Sequence, residues 1–94
     1  MNAPGGRPTD LRLIVSLYEE FVVRRLALAS MEVVELSLIR LCLAVEEYQV
    51  PRRASPAARD YCVAALNYAV RIAKNSYREY LTEMEAGGDE RRVL

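Results

Sequence analysis

The sequence contains no histidine and no tryptophan, and only two of its 94 residues are cysteine. The absence of histidine removes the commonest general base, the commonest metal ligand and the side chain that titrates near neutral pH. Two cysteines are too few for a structural zinc site in one chain or for a disulfide-dense secreted scaffold. We therefore expect a protein that is not an enzyme, holds no metal or cofactor, and works in the reducing cytoplasm.

The chain also lacks an excess of charge of either sign, because 13 basic residues balance 13 acidic ones. No long-range field therefore attracts nucleic acid or membrane, and an electrostatic partner must be recognised by a local pattern. Acidic side chains crowd the middle of the chain, whereas basic side chains dominate the part that follows residue 50. Hydrophobic residues make up 52% of this short chain, which favours self-association as a homodimer.

Long uninterrupted apolar runs are missing as well. The most apolar stretch covers residues 26–45, and Glu32, Glu35 and Arg40 interrupt it. Because each charge costs about 3 kcal/mol near the centre of a bilayer, we expect no membrane partner. Residues 1–8 carry glycine, proline and one arginine but no apolar core, so they resemble no targeting peptide and are predicted to be a disordered lead.

Helical periodicity governs the chain from residue 9 to Tyr48. Thr9, followed by Asp10, is predicted to cap a first helix. The apolar face reverses its direction close to Ser30, which predicts either a break near Ala29 and Ser30 or one long helix with different partners on its two sides. We favour the break. Two sets of apolar residues recur at helical spacing: Leu11, Ile14, Leu17, Tyr18, Phe21, Val22 and Leu28, then Met31, Val34, Leu38, Leu41, Cys42, Val45 and Tyr48.

Pro51 ends the second helical segment, and Ser55 with Pro56 predicts the capped start of a third one. This last helix is expected to run from Pro56 to Glu85 and to end before Gly87 and Gly88, leaving residues 87–94 as a frayed tail. Residues 9–86 form a single helical domain in this interpretation. The fold class is all-α, an antiparallel helical hairpin or a three-helix arrangement that assembles as a dimeric helical bundle.

The two cysteines are predicted to face each other across the turn. Cys42 and Cys62 lie equally far from its centre near Arg52 and Arg53, so antiparallel packing opposes them. They would form either a redox clasp or, as we favour, a pair of small residues that eases close approach of two helices.

A row of amide and cationic side chains follows one face of the last helix. Its residues occur at i, i+4, i+7, i+8 and i+11, which places them on a single stripe, and no acid occurs between Asp60 and Glu79. Arginine and lysine neutralise phosphates, and asparagine donates to phosphate or sugar oxygens. The alternative is an ordinary solvated helix face. The cationic row consists of Asn67, Arg71, Lys74, Asn75 and Arg78.

Further basic and aromatic residues surround this row. Arg52, Arg53 and Arg59 cluster at the turn, where they either extend the nucleic-acid-binding footprint or solvate the loop and neutralise nearby acids. The last helix also contains four tyrosines, whose rings either stack on bases or pack in the core. We expect Tyr77 and Tyr80 to pack in the core. For Tyr61 and Tyr68 both roles stay open.

The last helix carries a cationic row of Arg71, Lys74, Asn75 and Arg78, a Ser55 and Pro56 start with Arg59 in its first turns, and a short charged tail from Glu83 to Arg92. With these features it resembles the RNA-binding helix of the small nodavirus proteins that suppress RNA silencing. The resemblance implies an antiparallel helical-hairpin dimer that lies along double-stranded RNA, contacts backbone and ribose, and shields the duplex from Dicer. It further implies a viral protein of the host cytoplasm. The apolar segment from Glu32 to Tyr48 exceeds what that family's two-helix hairpin needs.

Two functions therefore compete. The first is sequence-independent binding of double-stranded RNA by a helical dimer, as in a viral suppressor of RNA silencing. The alternative is a non-enzymatic protein-interaction adaptor or chaperone, whose broad apolar surface between Leu26 and Val45 receives an amphipathic helix of a partner.

Overall fold

A computed structural model of the chain contains three α-helices and describes the backbone of residues 10–93 and the side chains of residues 10–86. The helices are α1 (Leu11–Leu26), α2 (Met31–Glu47) and α3 (Pro56–Val93). Within this described part no strand occurs, so the predicted all-α class is confirmed and the chain adopts the three-helix arrangement. The predicted disordered lead, residues 1–8, lies outside the described residues.

The start of α1 differs from its prediction by one residue. The carboxylate of Asp10 accepts a hydrogen bond from the backbone N–H of Leu13 at 2.9 Å, so Asp10 is the N-cap. A capping side chain must lie just before the first helical residue to reach the free N–H groups of the first turn, and Asp10 holds that place. The predicted cap, Thr9, lies outside the described residues.

The predicted break between the first two helices is confirmed. Leu28 adopts a positive φ of 53°, in the left-handed region, and this lets the chain reverse after α1. Ser30 then caps α2, because its hydroxyl accepts a hydrogen bond from the N–H of Val33 at 3.4 Å. The reversal of the apolar stripe is therefore a change of helix.

The start of α3 follows the prediction, but its end does not. The hydroxyl of Ser55 accepts a hydrogen bond from the N–H of Ala58 at 3.1 Å, and Pro56 is the first helical residue. The predicted end before Gly87 is wrong, because α3 continues to Val93. Glycine can adopt helical as well as left-handed geometry, and no proline follows to block the helix. The predicted frayed tail falls on residues whose side chains lie outside the described part.

One hydrophobic core joins the three helices, and the predicted apolar stripes of α1 and α2 supply most of it, although Ala44 was not among the predicted residues. Three residues of those stripes, Leu11, Leu28 and Met31, instead stay about half exposed, because they lie at helix ends where no neighbouring helix covers them. The buried apolar residues are Ile14 and Phe21 of α1, Val34, Leu38, Leu41 and Ala44 of α2, and Ala73 and Tyr80 of α3.

Polar contacts fix α3 against the turn between α1 and α2. The phenol of Tyr80 is fully buried and donates a hydrogen bond to the carbonyl of Ala29 at 2.5 Å. Arg25 pairs with Glu83 at 2.7 Å, donates to the hydroxyl of Ser76 at 3.2 Å, and lies over the ring of Tyr80. These contacts set which side of α3 faces the other helices. We call the five residues that make them the α3 latch: Arg25, Ala29, Ser76, Tyr80 and Glu83.

None of the described helices combines the length and the hydropathy that a bilayer crossing requires.

Candidate nucleic-acid interface

The cationic row lies on the solvent side of α3. All five of its residues are exposed, whereas Ala73 and Tyr80 on the opposite side of the helix are buried. Arg78 precedes Tyr80 by two residues, which places the two side chains about 160° apart around the helix axis. Because the latch holds Tyr80 inward, it turns Arg78 and the rest of the row outward.

The cations of the row have no acidic partner among the described residues. The ion pairs there join Glu20 to both Arg24 and Arg40, at 3.7 and 3.9 Å, and Arg25 to Glu83. None of these pairs uses Arg71, Lys74 or Arg78, which leaves the charges of the row available for an external anion.

The row is regular as well as unpaired. From Asn67 to Arg78 it extends for about 16 Å at 1.5 Å per residue. Its members recur on successive turns of one rigid helix, so their relative positions are held without a partner. The face thus combines cationic groups with two amides on a strip about 100° wide around the helix, which suits a repeating anionic backbone.

The three arginines near the turn do not join this row. Arg52 and Arg53 lie in the turn before α3 and are exposed. Arg59 is also exposed, but it precedes Arg71 by three and a third turns and therefore lies about 120° away around the helix. The structure brings these residues to the beginning of α3 as a separate basic group, the turn arginines.

The tyrosines of α3 divide into two pairs. Tyr77 and Tyr80 stack with their ring centroids 6.0 Å apart, and burial raises the pKa of Tyr77. Their predicted place on the packed side of the helix is confirmed. Tyr61 and Tyr68, the outer tyrosines, are 78% and 61% exposed.

The cysteines carry no disulfide. Cys42 and Cys62 are free and half-buried, so the redox clasp is absent from the structure. Burial and the neighbouring thiol of Cys62 raise the pKa of Tyr48, which places Tyr48 of the α2 end beside the first turns of α3. Cys62 thus lies beside Tyr48, and the predicted opposition of Cys42 and Cys62 across the turn stays a prediction.

The outer side of α2 carries a second apolar face. Leu36, Ile39 and Leu43 are 49%, 45% and 52% exposed and lie opposite the core residues Val34 and Leu41. We call these three residues the α2 ridge. Their i, i+3, i+7 spacing was visible in the sequence, where it formed part of the predicted broad apolar surface between Leu26 and Val45.

A shallow groove between α1 and α2 adjoins the ridge and shares Leu43 with it. Apolar side chains of both helices form much of its wall. The residues that line it are Leu13, Leu17, Arg40, Leu43, Ala44 and Glu47.

In the part of the chain that the structure describes, no group of three or more cysteine, aspartate or glutamate side chains is arranged to hold an ion. Comparison of the chain with protein families, with curated proteins and with solved structures finds no match.

Proposed function

We propose that the protein binds double-stranded RNA without reading its sequence, through the cationic row of α3. The observation that carries this proposal is the unpaired exposure of Arg71, Lys74 and Arg78 on one straight helix face. Cationic groups of this kind neutralise phosphates, and the release of condensed counterions then supplies most of the binding free energy.

The cationic row is better suited to contacts with the backbone of duplex RNA than to contacts with base edges. The major groove of A-form RNA is deep and narrow, so proteins recognise the duplex through its shape, its phosphates and its 2′-hydroxyl groups. Asn67 and Asn75 lie beside the cations of the row, where their amides can donate to phosphate or ribose oxygens. Such contacts are independent of base sequence.

The α2 ridge supports assembly of two copies. The inner side of α2 packs against α1 and α3, and the ridge lies on the exposed outer side of α2. If two ridges pack antiparallel about a two-fold axis, the dimer carries two cationic rows, one on each copy of α3. The resemblance adds the expectation that the two rows form one extended surface along the duplex. A suppressor of RNA silencing in the cytoplasm of a virus-infected cell is the biological role that the resemblance to the nodavirus proteins adds to this proposal.

A gel-shift titration with duplex RNA, duplex DNA and single-stranded RNA of matched length tests the proposal. We expect retention of duplex RNA of unrelated sequences, with affinity that falls steeply as salt is added. The double variant Arg71→Glu with Arg78→Glu should abolish the shift while helicity is kept.

A matched control separates the row from net charge. Arg12→Glu makes the same change in net charge as Arg71→Glu alone, and Arg12 is an exposed residue of α1 that forms no ion pair among the described residues. This control should retain more binding than Arg71→Glu does. Equal binding by the double variant and the unmodified protein would refute the proposal.

The α2 ridge also favours the second candidate function, an adaptor that receives an amphipathic helix of another protein. Exposed apolar patches of this kind mark interaction sites in soluble proteins. Under this alternative the purified protein would ignore RNA of every form, and substitutions in the ridge rather than in the row would abolish its activity.

A further inference from the structure

The outer tyrosines flank one side of the cationic row: Tyr68 lies almost level with Asn67, and Tyr61 lies about two turns nearer the start of α3. At about 100° per residue, Tyr68 lies some 60° around the helix from Arg71, and Tyr61 lies about 80° from it on the same side. Both rings are more than half exposed, at 61% and 78%. A phenol ring of this exposure contributes little to the fold of its own chain, so its apolar surface is available to a ligand.

The spacing of the two rings suits stacked bases. Seven residues separate Tyr61 from Tyr68, which is about 10 Å along the helix axis. A stacked strand advances by about 3.4 Å per nucleotide, so roughly three nucleotides cover this distance. Beyond Tyr61 the turn arginines Arg52 and Arg53 are exposed and form no ion pair within the described residues. Cations therefore lie at both ends of the aromatic pair.

Paired bases cannot use such rings, because the faces of a base inside a duplex are covered by its neighbours. Bases outside the duplex can stack on aromatic side chains, and cationic groups then track their phosphates. We propose that Tyr68 and Tyr61 form a subsite for the unpaired nucleotides of an RNA strand that leaves the duplex held by the cationic row. This inference rests on the proposed function and names the substrate class more narrowly: duplex RNA with a single-stranded extension.

The test compares three RNAs with the same duplex length: a blunt one, one with three-nucleotide extensions, and one with abasic extensions of equal length. The abasic extension keeps the phosphates and removes the bases. We expect the extended duplex to bind at least about fivefold more tightly than the blunt one, the lower end of what one stacked base contributes. The duplex with abasic extensions should bind only slightly more tightly than the blunt duplex. A preference retained by the abasic extension would overturn the subsite.

Variants assign the preference to the rings. Tyr61→Ala with Tyr68→Ala should bind the extended and the blunt duplex equally, whereas Tyr61→Phe with Tyr68→Phe should keep the preference, because stacking needs the ring and not the hydroxyl. Val63→Ala is the control for the loss of exposed apolar surface on the same helix, since Val63 is 46% exposed, and should change nothing.

Two outcomes distinguish this inference from the proposed function. Binding of blunt duplexes without any preference for extensions would overturn the subsite alone, whereas failure to bind either RNA would remove the proposed function with it. If the alanine variants lowered the dimer fraction in sedimentation, the rings would belong to an assembly contact, and the subsite would again be overturned.

Discussion

The guanidinium of Arg25 donates to the carboxylate of Glu83 across 2.7 Å and so joins α1 to the second half of α3. The side chain of Arg25 is only 11% exposed, and this hydrogen bond raises its pKa above the ordinary value. Together with the bond from Tyr80 to the carbonyl of Ala29, the pair determines the rotation of α3 about its own axis. The outward direction of the cationic row depends on this arrangement.

Removal of the Tyr80 hydroxyl tests the latch. Tyr80→Phe leaves the partly buried carbonyl of Ala29 without its partner, and we expect a loss of about 1–2 kcal/mol in the free energy of unfolding. The matched control is Tyr68→Phe on the solvent side of the same helix, which should change stability by less than about 0.5 kcal/mol. Urea denaturation followed by circular dichroism measures both. Equal effects of the two substitutions would show that the latch contributes nothing specific.

The turn between α1 and α2 stores backbone strain at Leu28. Its φ of 53° is unfavourable for a residue with a side chain, whereas glycine adopts it freely. We expect Leu28→Gly to raise the free energy of unfolding by about 0.5–1 kcal/mol, after allowance for the greater entropy of glycine in the unfolded chain. Leu26→Gly, at the exposed last residue of α1, should instead lower it by up to about 1 kcal/mol. Thermal denaturation measures the stability of both variants. A lower stability of Leu28→Gly would contradict the proposal that the backbone is strained at Leu28.

Alkaline pH should destabilise the fold through two tyrosines. Burial raises the pKa values of Tyr48 and Tyr77 above the ordinary 10.0, because it disfavours the phenolate. A group with a raised pKa in the folded state stabilises fully below its unfolded pKa, and this contribution is lost as pH rises through the folded pKa. Stability should therefore be insensitive to these groups at neutral pH and fall above about pH 10.

The double variant Tyr48→Phe with Tyr77→Phe should flatten that alkaline decline. Urea midpoints measured between neutral pH and the alkaline limit of the native state provide the comparison. An unchanged decline in the variant would assign the alkaline sensitivity to other groups.

Self-association should depend on the α2 ridge. Ile39→Lys places a charge at the centre of the ridge, and we expect it to shift the protein to monomers at concentrations where the unmodified chain is dimeric. Val23→Lys introduces the same charge at a position that is 63% exposed on α1, outside the ridge, and should leave the dimer intact. Sedimentation equilibrium measures the mass. A monomeric unmodified protein, or a dimeric Ile39→Lys variant, would remove the ridge from the assembly.

Local signals in the sequence predicted most of the fold. The reversal of the apolar stripe and the caps at Ser30 and Ser55 located the helix starts, because a cap acts on the turn that follows it. The end of α3 was missed, since glycine permits both a helix and its termination. No residue near Gly87 indicates whether the helix continues or ends there.

The candidate site was predicted in part. The periodicity of α3 placed Asn67 and Arg78 on one face, and their exposure follows from the burial of the opposite stripe. Contacts between distant segments left no periodic signal, so the pairing of Arg25 with Glu83 could not be predicted. The angle of about 120° between Arg59 and Arg71, by contrast, follows from the residue spacing alone and could have been predicted.

The salt dependence of duplex RNA binding by Arg71→Gln and by Arg78→Gln tests the role of the cationic row most directly. Each phosphate contact that is lost should lower the slope of log affinity against log salt concentration by about one unit, or by about two where both copies of a dimer contribute. We expect shallower slopes in both variants than in the unmodified protein, at unchanged helicity. Slopes identical to that of the unmodified protein would show that these side chains do not neutralise phosphates.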